Sequence, residues 1–246
     1  MSRFFVEPQN IHGEKAYLYG DDVKHIVKVL RLGAGDCVTL CDGLGYDYEA
    51  CLFELEKDRL CFELIGKSVC ENEPACEITL YQGLPKSGKM ELILQKCVEL
   101  GVSRIVPFAA ARSVVRLDAK EAEQKRERYK RIAYEAAKQA RRGIVPQIGA
   151  ILPLNRLDVS AHDLFLIAYE EERERTLKTA LREARARGNA LKSIGVLVGP
   201  EGGLTPEEVA FALSKGGESI TLGRRILRTE TAGMALAAML VYELEG

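Results

Sequence analysis

The chain has 246 residues, 47% of them hydrophobic and 29% charged, with no tryptophan and a net charge of −1. That length and apolar content can bury one large core or two modest ones, and they exclude a disordered or fibrous chain. The longest apolar run, Gly233 to Tyr242, falls far short of the roughly 20 residues that cross a bilayer, and no signal-like stretch opens the chain, so a cytosolic protein is expected.

From Arg3 to about Val69 the pattern is short and β-rich. Val38 to Leu40, Glu49 to Phe53 and Leu60 to Leu64 read as strands separated by turn signals such as Asp42-Gly43-Leu44-Gly45. Asp21 and Asp22 lead into Val23, Ile26, Val27 and Leu30 at helical spacing, which predicts one short helix among the strands. Such a segment suggests a small barrel. Glu71-Asn72-Glu73-Pro74 reads as a linker, dividing the chain into 1–72 and 73–246.

Beyond the linker the rhythm becomes strand then helix. Ile78 to Tyr81 and Ile105 to Phe108 are predicted strands, with an amphipathic helix from Lys89 to Leu100 between them, stopped by Gly101. A long basic helix follows, with Glu121–Lys125 and Glu127–Arg131 at ion-pair spacing. Leu164 to Ala168 and Ile194 to Val198 are unbroken apolar runs, as strands covered on both faces require. The expected fold class is therefore α/β with a largely parallel sheet, preceded by a small β-rich domain.

Charge is unevenly placed. Residues 1–72 carry 8 basic and 13 acidic groups, whereas 112–142 carry 11 basic and 5 acidic. The second bias fits nucleic acid, although an exposed helix with interleaved charges gives the same count. Of the seven cysteines, Cys37, Cys41, Cys51 and Cys61 sit among Val, Leu and Phe and are expected as small buried hydrophobes. Neither a disulfide nor a metal is expected.

Three segments are candidates for chemistry. Gly83-Leu84-Pro85-Lys86-Ser87-Gly88-Lys89-Met90 spells most of a P-loop, but Met90 stands where Ser or Thr would hold Mg²⁺. Its helix start, flanked by Lys86 and Lys89, suits an RNA phosphate. Val198-Gly199-Pro200-Glu201-Gly202-Gly203-Leu204 leaves a strand and enters a helix. Thr205 caps that helix, Pro206 suits its first position and Glu208 completes a capping box. Its glycines let backbone approach a ligand; a bare tight turn is the alternative. Thr221 to Ala232 is an arginine-rich connector into the final apolar helix, suited to a nucleotide or phosphate, or else a cap with solvated arginines.

The two glycine loops, about twenty residues apart in the last third of the chain, resemble the SPOUT superfamily of RNA methyltransferases. Gly199-Pro200-Glu201-Gly202-Gly203-Leu204 with Leu222-Gly223-x-Arg225-Ile226-Leu227-Arg228-Thr229-Glu230-Thr231-Ala232 is similar to the family that methylates N3 of a uridine in 16S ribosomal RNA. Similarity extends to His25-x-x-x-Val29-Leu30-Arg31, to Lys89-Met90-Glu91 through Gly101, to Arg112-Ser113, and to Gln139 with Val145-Pro146, and so covers nearly the whole chain. Lys138 departs from the family's pattern, which often carries Glu there.

The resemblance implies a PUA-like β-barrel followed by a SPOUT-type α/β domain with a C-terminal trefoil knot, and a homodimer. It implies S-adenosylmethionine as cofactor, S-adenosylhomocysteine as product, and 16S rRNA, within the small ribosomal subunit, as partner. The cofactor site maps to Ala168, Tyr169, Val198, Gly199, Glu201, Gly203, Leu222, Gly223, Leu227 and Thr229. Arg228 is a candidate to stabilise a uridylate, and Glu201 or Glu230 to accept its proton. Arg3, His25, Arg31, Lys86, Lys89, Arg112 and Arg116 are candidate RNA contacts. Two rival readings stay open at this point: a P-loop-like nucleotide-binding protein and a non-catalytic RNA-binding module.

Overall fold

A computed structural model describes residues 2–86, 88–115, 117–188 and 190–245. The chain divides into two units, Met1–Glu73 with Ala137–Val145, and Pro74–Ala136 with Pro146–Gly246.

The first unit carries strands β1 (Arg3–Phe5), β2 (Ile11–His12), β3 (Lys15–Tyr19), β4 (Cys37–Cys41), β5 (Tyr46–Leu55) and β6 (Arg59–Val69). They form one sheet in the order β1-β4-β5-β6-β3-β2, antiparallel except where β1 joins β4. The pairing path runs open from β1 to β2, where the strand pattern suggests a barrel. Strand alternation builds the core: Ala16, Leu18, Val38, Leu40, Ala50, Leu52, Leu60 and Phe62 all point inward. The predicted helix is a single α-turn, α1 (Asp21–Lys24), that runs into a π-helical turn at His25–Leu30. Its Val23 and Ile26 reach the same core.

The spacing of the sequence places 137–145 in the larger domain, but these residues pack in the small unit for an electrostatic reason. Arg142 is 2% exposed, and its guanidinium donates to the Glu73 carboxylate at 2.9 and 2.6 Å. The same carboxylate accepts from the Gly143 and Ile144 amides. A buried charge needs such partners, so the segment follows its arginine.

One cysteine expectation fails. The register of β4 with β5 puts Cys37 directly opposite Cys51, and the two form a disulfide. Cys37 is exposed, unlike Cys41 and Cys61, which are buried and free. Cross-strand pairing, invisible in local composition, decides the outcome. Because the bond closes a loop across 14 residues, Cys37→Ser should lower the unfolding free energy by up to about 3 kcal/mol. Urea titration with and without dithiothreitol checks this. Reductant should bring the parent protein to the variant's midpoint and leave the variant unmoved.

Among the described residues the second unit holds seven strands: β7 (Glu77–Gly83), β8 (Arg104–Ala109), β9 (Gln147–Ile148), β10 (Leu152–Pro153), β11 (Leu164–Ala168), β12 (Ser193–Val198) and β13 (Glu218–Ile220). They run β10-β8-β7-β12-β11-β13 with β9 beside β8, and every pairing is parallel. Four of the five β11 residues are buried, as a doubly covered strand requires. The helices are α2 (Lys89–Glu99), α3 (Ala119–Gln139), α4 (Leu177–Ala186), α5 (Pro206–Ser214) and α6 (Thr229–Glu245). Helix α2 buries Met90, Ile93, Leu94, Cys97 and Val98 at helical spacing, and Gly101 with φ +94° ends it.

The charges of α3 pair differently from expectation. Glu121 exchanges hydrogen bonds with Asp118 in a capping box instead of meeting Lys125. Glu127 meets Lys130 and Glu123 meets Arg126, each three residues apart. The carboxylate at the helix start does more by satisfying an orphan amide than by joining a solvated ion pair.

Candidate active site

Parallel strands end on one edge, and loops leaving that edge converge. Pairing register sets Ile220, Ala168, Val198 and Gln82 in one row across β13, β11, β12 and β7. The segments after Ala168, Val198 and Ile220 wall a single cavity of about 530 Å³, within the size range of small-molecule sites. All ten residues named from the sequence for the cofactor line it, as do Lys89 and Arg228.

The glycine loop is held by close approach. Gly203 has φ +72°, and its amide donates to the Pro200 carbonyl at 2.9 Å to close the turn. A Cβ on Gly203 would lie 2.3 Å from Glu170 Oε1, and one on Gly83 would lie 2.6 Å from Pro200. The helix start reads as the sequence predicts. Thr205 accepts from the Glu208 amide at 3.2 Å, and Glu208 accepts from the Thr205 amide at 2.9 Å. Glu208 also takes the Ala111 amide at 2.8 Å. In the third loop Thr221 and Gly223 hydrogen-bond each other. The guanidiniums of exposed Arg224, Arg225 and Arg228 make no hydrogen bond or ion pair among the described residues.

Glu201 and Glu230 meet on one cation. Lys89 Nζ lies 3.1 Å from Glu201 and 3.2 Å from Glu230. Glu201 and then Glu230 raise the Lys89 pKa, so it stays charged. Burial alone would push the Glu201 carboxyl up, but its own amide, Lys89 and the Lys86 amide outweigh that and hold it below the usual range. The Glu230 carboxyl is lowered by its own amide and by Lys89. With its ammonium committed to two carboxylates, Lys89 is a poor phosphate anchor, which removes the support for a P-loop.

The expected RNA contacts fall in both units. In the small unit Arg3 is half-buried and tied to Asp47 at 2.6 Å and to the Arg141 carbonyl; it braces the fold instead of presenting a charge. His25 and Arg31 are exposed, with Arg31 closing the π-helical turn at φ 54°. Lys138 pairs with Asp22. In the large unit Lys86 is exposed. Arg112 is exposed too, but donates to the Gly202 and Leu204 carbonyls at 3.0 and 3.3 Å, so it braces the glycine loop. Arg116 lies outside the described residues.

No local motif marks the segment after Tyr169, yet it belongs to the site. Glu170 and Arg173 line the cavity, and Glu172 shapes their turn by accepting from the Glu174, Arg175 and Arg173 amides and from Ser219. These bonds, the Glu174 amide first and Ser219 next, hold the Glu172 carboxyl down to about 2. A depressed acid stabilises the fold above its ordinary pKa and loses that contribution as pH falls through the folded value. Glu172→Gln should therefore be less stable than the parent at pH 7. The gap should close as pH drops from about 4.5 toward 2. Urea unfolding at pH 7 and pH 3 measures it, and a pH-independent gap would count against the ionic origin.

Comparison with known proteins fits this geometry. The family model for an RNA methyltransferase domain matches residues 71–241, and that for an RNA methyltransferase PUA domain matches residues 18–65. Ribosomal RNA small subunit methyltransferase E of Bacillus subtilis is 36% identical, over 100% of this chain and 98% of the relative. The enzyme of the same name from Neisseria gonorrhoeae, solved bound to S-adenosyl methionine, has a TM-score of 0.80 and 32% identity over 99% and 98% of the two chains. A Legionella pneumophila protein solved with bound SAM has a TM-score of 0.80 and 25% identity over 98% and 97%. With a match over most of its length, a PUA domain ahead of it and glycine loops gathered at one sheet edge, this chain belongs to the RNA methyltransferase family.

Proposed function

We propose that the protein transfers a methyl group from S-adenosylmethionine to N3 of a uridine in 16S rRNA of the small ribosomal subunit, in the cytoplasm. The observation that carries this reading is the single 530 Å³ cavity in which three loops from one sheet edge meet. Its donor set suits the cofactor: backbone groups brought close by glycine, apolar Leu222 and Leu227 for an adenine, and exposed Arg224, Arg225 and Arg228, whose guanidiniums make no hydrogen bond or ion pair among the described residues. Relatives solved with SAM support the same choice.

When bound, the cofactor supplies an electrophilic methyl on a sulfonium. The chain's own work is to orient and to stabilise charge. Uridine N3 must lose its proton to attack, and Arg228, whose guanidinium makes no hydrogen bond or ion pair among the described residues and whose charge acts only at longer range on Glu230, stands where a cation can stabilise the uridylate. Glu201 and Glu230 are the expected proton acceptors. As carboxylates held low by their surroundings they are weak bases, so we assign them to fixing Lys89 between the two loops. The N3 proton then passes to water.

A trefoil knot and a homodimer belong to the same proposal. Exposed Met239 and Tyr242 on α6 offer a second copy an apolar face, which sedimentation would test. Among the described residues no helix is long and apolar enough to cross a membrane.

The deciding experiment incubates the protein with labelled S-adenosylmethionine and unmodified small subunits, then identifies the labelled nucleoside. Recovery of 3-methyluridine supports the proposal. Label in another nucleoside keeps the methyltransferase and overturns the target, and no transfer to subunits or naked rRNA overturns the substrate.

A further inference from the structure

Gln82 lies at the end of β7, in the same register row as the three strands whose loops wall the cavity. It is fully buried, with 0% exposure. Its amide nitrogen donates to Thr229 Oγ1 at 2.8 Å and to the Gly83 carbonyl at 3.0 Å. Thr229, itself 6% exposed, donates onward to the Gly199 carbonyl at 2.6 Å. The direction of this chain is fixed by chemistry. Two carbonyls can only accept, so the Thr229 hydroxyl must give its proton to Gly199 and take one from Gln82. That leaves Gln82 Oε1 buried and without a hydrogen-bond partner among the described residues, an unsatisfied acceptor that needs a reason to persist.

We infer that Gln82 is a positioning residue for cofactor binding: through Thr229 it pins the Gly199–Pro200 peptide and so fixes the two glycine loops against each other. Gly199 and Thr229 both line the cavity, one from each loop, while Gln82 touches neither cavity nor solvent. The neighbouring clearances match. Gly83 passes Pro200 with no room for a Cβ, and a Cβ on Gly233 would stand 3.3 Å from Leu80 and 3.4 Å from Gln82 Oε1. The amide is thus wedged between the first strand of the unit, the glycine loop and the last helix. Its orphaned oxygen is what it costs to aim the nitrogen at two acceptors.

The inference rests on the cavity being the cofactor site, and the test separates the two. S-adenosylmethionine affinity is measured by calorimetry for the parent, Gln82→Met, Thr229→Val, their double variant and Thr229→Ser, alongside thermal unfolding without cofactor. Parent protein that does not bind S-adenosylmethionine overturns the site and the inference together. If the parent binds, Gln82→Met and Thr229→Val should each weaken affinity about tenfold. The double variant should be within about twofold of the weaker single, since both cut one chain. Thr229→Ser should recover affinity that Thr229→Val loses. Lowered melting temperature with unchanged affinity, or losses that multiply in the double variant, would overturn the positioning role. Should Gln82→Met fail to fold, the contrast of Thr229→Val with Thr229→Ser decides, because a merely structural threonine would show it in stability and not in affinity.

Discussion

Gly203→Val is expected to weaken S-adenosylmethionine binding by about 100-fold or more while leaving a folded protein. The residue sits at φ +72°, where a β-branched side chain costs about 1–3 kcal/mol and the chain relieves the strain by moving. Its Cβ would also displace the Glu170 carboxylate, 2.3 Å away, and Glu170 is part of the cavity wall. Binding suffers twice, because the backbone that approaches the ligand shifts and the opposite wall is pushed with it. The fold suffers less. Leu204 next door is 2% exposed in the apolar core, so the melting temperature should fall, yet the capping box of Thr205 and Glu208 keeps α5 in place. Calorimetric titration with S-adenosylmethionine and thermal unfolding in its absence separate the two effects. Unchanged affinity would remove the glycine loop from the cofactor site.

Why this loop was legible in the sequence, and others were not, follows from where the information lies. The Gly199–Gly203 turn, the Thr205–Glu208 box and the apolar runs of β11 and β12 are local: spacing and residue type determine them within a few positions. Conversely, the Cys37–Cys51 bond, the return of 137–145 to the small unit and the brace from Arg112 to the glycine loop depend on register or on a partner far along the chain. Strand β13 is three residues long and two of them are polar, so it has no periodicity to detect. Lys89 shows the limit most sharply. Its place beside a P-loop-like run suggested phosphate, whereas its surroundings supply two carboxylates from residues 201 and 230. A lysine's role is set by the charges that face it, and these were separated from it by more than a hundred residues.

That same neutralisation is why the largest catalytic effect is expected at Arg228 and not at Lys89. In the proposed reaction uridine N3 attacks as an anion, so a cation near the base both lowers the cost of losing the proton and stabilises the charge until the methyl arrives. Arg228 lines the cavity, is exposed, and has no ion pair or hydrogen bond for its guanidinium among the described residues. Arg228→Ala should lower kcat by about 10²–10³-fold, the range found when one preorganised donor is removed, with much less change in cofactor affinity. The pH profile carries the mechanistic content. Without the cation the base must ionise unaided, so the rise in single-turnover rate should move to higher pH and the gap to the parent should narrow as pH increases. Arg228→Lys, keeping charge but losing the planar fork, should fall between the two. Equal loss at every pH would assign Arg228 to holding RNA in place, since a phosphate contact has the same value whether or not the uridine is ionised.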